Sequence, residues 1–90
     1  MITDTEARAN LAENVNCILR YRGLTQRDLA EAAQRPVMSI NNVCCNRRLP
    51  GVTLVVAIGE ALGYSVEELI GMPAGILAQE KLRKKSLIPA

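Results

Sequence analysis

Between residues 5 and 21 the apolar positions Leu11, Val15, Ile18 and Leu19 recur at steps of three and four, with Glu13, Asn14 and Asn16 between them. That spacing follows the 3.6-residue turn of an α-helix and predicts an amphipathic first helix with one core-facing stripe. Thr3, Asp4 or Thr5 can cap its start, and Gly23 ends it by supplying the left-handed conformation that helix termini often need. Thr25 is a good N-cap for a second helix over residues 26–33. Leu29, Ala30 and Ala33 share one face of it, and Asp28 lies in the first turn, where the helix dipole favours an acid.

The run Gln34, Arg35, Pro36 interrupts this pattern. Proline disfavours the helical conformation in the residue before it but suits the opening of a new helix, which predicts a third helix over residues 36–45. Ile40 and Val43 form its inward stripe and leave Val37, Met38, Ser39, Asn41 and Asn42 on the outer faces; a shift of one position would turn Val37 and Met38 inward instead. Asn46 tolerates the left-handed region and can end this helix. Arg47, Arg48, Leu49, Pro50 and Gly51 read as a basic loop. A fourth helix over residues 53–62 is apolar on most sides and is expected at the centre of the core. Gly63 stops it, and the S-x-x-E spacing of Ser65 and Glu68 is that of a capping box opening a short fifth helix through Val66, Leu69 and Ile70. Gly71 and Pro73 close this unit, dividing the chain into a domain at 1–72 and a tail at 73–90. Residues 74–85 suit a further helix with Ile76, Leu77 and Leu82 on one side, which either extends the core or forms a dimer surface.

Composition narrows the class. The chain has 90 residues, 49% of them hydrophobic, with two Tyr, no Phe and no Trp. A single all-α module with a core of Leu, Val, Ile and Ala is expected. No apolar run approaches the roughly 18 residues needed to span a bilayer, and the start MITDTEARAN lacks the pattern of a signal peptide. A cytoplasmic protein with no membrane partner is expected. Net charge is only +2, but Arg20, Arg22, Arg27, Arg35, Arg47 and Arg48 meet only Asp28 and Glu31 between positions 20 and 48. Lys81, Arg83, Lys84 and Lys85 make the tail basic as well. Such asymmetry points to a surface that faces a polyanion. Cys17, Cys44 and Cys45 lack C-x-x-C spacing and there is no His, so they read as reduced structural thiols, and neither a metal nor a cofactor is expected. Without His, a Gly-rich phosphate loop or a paired acid and base, an enzyme is not expected either.

Two short helices joined by a tight turn, the second with polar outward positions and flanked by arginines, suit a helix-turn-helix spanning residues 25–45 that places one helix in the major groove of DNA. The segments LAENVNCILRYRGLTQRDLAEAAQ, SINNV and LVVAIGEALGYSVEELIG resemble the Cro/cI-type, or lambda-repressor-like, helix-turn-helix family over about residues 9–71. GLTQRDLAE and ALGYSVEELIG carry the likeness most specifically. The resemblance implies a compact five-helix DNA-binding domain, with room for an extra C-terminal helix, acting as a transcriptional regulator, most simply a repressor of phage or mobile-element type. It implies that Val37, Met38, Asn41 and Asn42 meet base edges. It also implies that Gln26, aided by nearby backbone N–H groups, contacts phosphate together with Ser39, Arg35, Arg47 and Arg48, the last two by electrostatic contact or minor-groove insertion. Val37 and Met38 suit thymine methyl groups, and Asn41 or Asn42 suits the paired hydrogen bond to adenine, so an A·T-rich half-site is expected.

The sequence departs from the family pattern at several positions. Gln34 stands where Gly is usual in the turn, at an expected cost on the order of 1 kcal/mol for a positive φ. Arg35 replaces an apolar residue and Pro36 a Ser or Thr cap. A Glu and Arg pair common in relatives is replaced at positions 44 and 19 by Cys and Leu, which predicts contact between Leu19 and Cys44, since losing both charges together leaves no orphan. A homodimer is expected, through the fourth-to-fifth helix region or the tail, because one recognition helix makes few contacts. The alternative function is the antitoxin of a toxin-antitoxin pair, with the tail binding a protein partner.

Overall fold

The computed structural model describes residues 2–86, with side chains to Arg83, and shows six α-helices and, among the described residues, no strand. α1 (Asp4–Arg22) is opened by Thr3, whose side chain accepts from the Glu6 backbone N–H, and closed by Gly23 at φ 67°. α2 (Gln26–Ala33) carries a reciprocal capping box between Thr25 and Asp28. α3 (Val37–Cys44) starts one residue later than expected: Pro36 is its extended N-cap at φ −60°, ψ 141°, rather than its first helical residue. α4 (Val52–Leu62), α5 (Val66–Ile70, capped by the Ser65 and Glu68 box) and α6 (Pro73–Ser86) follow.

Leu11, Val15, Ile18 and Leu19 of α1 pack with Leu29, Ile40, Val43, Val55, Ile58, Leu62 and Leu69 in one cluster, to which Cys44 also belongs. Asn14 departs from the expected polar side of α1. It lies three residues from Leu11 and four from Ile18, on the apolar stripe itself, and is fully buried. Its Nδ2 donates to the carbonyls of Leu69 (2.6 Å) and Gly71 (3.1 Å), while Asn10 donates to that of Ile70 (3.0 Å). These bonds satisfy the last carbonyls of α5, a helix too short to hold its own end.

α4 is less central than its composition predicts. Val55, Ile58 and Leu62 are buried, but Val52 and Val56 face outward and Val52 is 75% exposed. Gly59 is required where α4 meets its following turn, because a Cβ there would collide with the Tyr64 carbonyl oxygen. Beyond the expected boundary at Met72, Ile76 of α6 is 2% exposed and joins the core built on α1. Leu82, expected beside it, is instead 66% exposed, since six residues at 100° each turn it well away from Ile76. Glu80, one turn after Ile76, faces inward.

Candidate nucleic-acid interface

The α2–α3 turn is built by backbone hydrogen bonds that need a left-handed residue. Gln34 supplies it at φ 56°, its N–H reaching Glu31 O (3.2 Å), while the Arg35 N–H reaches Ala30 O (3.0 Å). This double closure satisfies the last carbonyls of α2 without glycine. It sends the chain through Pro36 into α3, whose Ile40, Val43 and Cys44 are buried. At the far end Asn46, at φ 54°, performs the same task as expected, with the Arg47 N–H donating to Asn42 O (3.0 Å). Asn16 of α1 donates to Cys44 O (2.9 Å) and so ties the end of α3 to the core.

With its inner stripe fixed, α3 presents Val37 (45% exposed) and Met38 (62% exposed) outward, with Asn41 and Asn42 half-buried beside them. Cys45, expected to be a buried structural thiol, is exposed on the same side, seven residues on from Met38. Cys17 and Cys44 are buried, and burial pushes the Cys44 thiol up to about 11, which leaves it protonated and inert. Among the described residues no group of His, Cys, Asp and Glu is arranged to hold a metal ion.

Six of the nine expected contact residues fall into two groups. Asn41 joins the first: its Nδ2 donates to Gln26 Oε1 (3.0 Å) and its Oδ1 accepts from the Arg47 guanidinium (2.9 Å). Ser39, Asn42 and Arg48 line one pocket of about 180 Å³ with Leu49, Pro50 and Gly51, between α3 and the start of α4. Arg35 is exposed at the turn, apart from both. The expected help for Gln26 from its neighbouring backbone is reduced, because the Asp28 N–H is already taken by Thr25 Oγ1 (3.0 Å) and the Asp28 carboxylate accepts from the Thr25 N–H (2.9 Å). α3 and α4 start without a side-chain cap.

A second polar cluster, which the sequence reading did not anticipate, lies away from α3. Arg22 Nε and Nη2 each sit 3.0 Å from one oxygen of Glu80, and the Tyr64 hydroxyl donates to Glu80 Oε2. Arg83 Nε stands 3.7 Å from the same oxygen, and the Arg22 guanidinium lies over the Tyr64 ring, 5.8 Å from its centre. Arg22 is therefore held by Glu80 rather than free to meet phosphate. Burial pushes the Glu80 carboxyl upward, but the hydrogen bonds from Arg22 and Tyr64 outweigh it and hold it below the ordinary range. Burial, then the bond to Glu80, pushes the Tyr64 phenol up to about 12. The signal available in the sequence was spacing: Glu80 follows Ile76 by one helical turn.

Lys84 and Lys85, counted in the basic tail, have side chains outside the described residues. No helix among the described residues is long and apolar enough to cross a membrane. Comparison with known proteins adds nothing to this geometry: no family model, curated protein or solved structure matches the chain.

Proposed function

We propose that the chain is a sequence-specific regulator of transcription that binds double-stranded DNA through α2 and α3, in the manner of the lambda-repressor-like family it resembles. The observation that carries this is the outward side of α3. It is a helix short enough to lie in a major groove, with two exposed apolar side chains, two Asn side chains and arginines at both ends. An exposed Val and Met cost burial that a merely solvated helix would recover with charged residues, whereas thymine methyl groups would cover them. Asn is a poor interior helix residue, and its donor and acceptor match adenine N7 and N6. Arg48, with Arg35 at the turn, supplies phosphate contacts that carry no sequence information.

The regulator acts as a homodimer that places two copies of α3 about one turn of DNA apart. Selection of bound sequences from a random duplex pool tests both statements. The expected outcome is a pair of A·T-rich half-sites related by two-fold symmetry. A G·C-dominated site contradicts the assignments on α3, a single unpaired half-site contradicts the dimer, and no enrichment contradicts regulation by DNA binding.

A further inference from the structure

Resting on that reading, we infer that Arg47 is a specificity-determining residue acting through Asn41, and that Arg47, Asn41 and Gln26 form one directional hydrogen-bond relay. Arginine has donors only, and the only acceptor of a carboxamide side chain is its oxygen. The Arg47 guanidinium lies 2.9 Å from the Asn41 side chain, which fixes the oxygen of that amide on the Arg47 side and its NH₂ on the other. The NH₂ faces Gln26 at 3.0 Å, so Gln26 must present its own oxygen inward. Its NH₂ is then left to donate outward. An amide has two N–H groups and two lone pairs, and the relay uses one of each on Asn41. One N–H and one lone pair remain, the pair that a two-bond contact with adenine requires. At the other end a phosphate oxygen, which only accepts, meets the outward NH₂ of Gln26. The direction set at Arg47 thus runs through base reader and phosphate clamp together, and without it the Asn41 amide can rotate to offer the opposite pattern. The loop position of Arg47 otherwise suggests a backbone contact, which Arg48 supplies instead.

The test is Arg47→Met, which keeps much of the side-chain length and removes every donor, with Arg47→Lys as the donor-restoring comparison. Affinity is measured for the selected site and for the three substitutions at the base pair that Asn41→Ala identifies, each over a range of salt. The wild type is expected to discriminate at that pair by roughly ten- to a hundredfold. Arg47→Met lowers this to about threefold or less, changes discrimination elsewhere little, and has no further effect in an Asn41→Ala background; Arg47→Lys recovers part of it. In the free protein Arg47→Met also shifts the side-chain NH₂ resonances of both Asn41 and Gln26, which a phosphate contact would not do. Uniform loss across all sites, with a shallower salt dependence, overturns the relay while leaving DNA binding standing. Absence of duplex binding by the wild type fails the underlying reading instead, and unmoved NH₂ resonances overturn the relay on their own.

Discussion

Helix α1 packs against α3 and against α5 and α6, and these two regions are built in opposite styles. Towards α5 and α6, polar groups are buried and paired: Asn14 holds the end of α5, and Glu80, 1% exposed, is gripped by Arg22 and Tyr64. Towards α2 and α3, apolar groups are exposed and polar ones half-exposed, with Met38 outward and Asn41 bonded to Gln26 and Arg47 at the surface. On the proposed function, stability and recognition fall to different halves. A buried pair is rigid but expensive to break, whereas a surface relay costs little and can meet another molecule.

The largest effect is expected at Glu80. Glu80→Ala strands the Arg22 guanidinium, itself 17% exposed, and should cost about 3–5 kcal/mol. For a chain of this size that is a fall of roughly 12–40 °C in Tm, read by thermal melting. Because the folded Glu80 carboxyl is held below its ordinary value of 4.5, its contribution is present above that pH and is lost as pH falls through the folded value. Glu80→Gln should therefore flatten the acid limb of the stability curve. Equal acid sensitivity in both proteins would mean that the lock does not distinguish this half.

Gly59→Ala forces α4 away from the Tyr64 carbonyl and should cost about 1–3 kcal/mol in urea unfolding. Arg48→Ala lies in the other half. It should leave the melt unchanged but weaken all duplexes alike, reducing the slope of log affinity against log salt by about 0.9. A change in sequence preference would place Arg48 among the base readers. The smallest effect is at the turn: Gln34→Gly removes the strain of a side chain at φ 56° and should stabilise by about 0.5 kcal/mol, measurable as a small rise in urea midpoint. Destabilisation there would show that the Gln34 side chain contributes contacts that outweigh its backbone cost.

How far the fold was legible follows from which interactions are local. Caps are local, so Thr25, Gly23, Ser65 with Glu68, and Asn46 marked their helix ends within a residue. The inner stripe of α3 was readable from the three-residue spacing of Ile40 and Val43, and the exposure of Val37 and Met38 sets aside the one-position shift. Polar pairings between distant segments were not readable. Asn14 bonds residues 55 and 57 positions away, and Arg22 meets Glu80 at a separation of 58, so neither polar side chain revealed from its neighbours that it would be buried. For the same reason the sequence left open whether α6 extends the core or forms a dimer surface, and Ile76 joins the core. At the candidate site the residue types and their exposure were legible. The bond between Asn41 and Arg47 was not, because it depends on the path of a loop after the helix.

The most direct measurement is a titration of isotopically labelled protein with duplex DNA at low ionic strength, followed residue by residue. The expected result is that resonances of Gln26, Met38, Asn41, Asn42 and Arg48 shift and that added salt reverses the shifts, while those of Ile76 and Leu69 stay in place. Shifts confined to α1 and α6, or none at all, would contradict the assignment of recognition to α3.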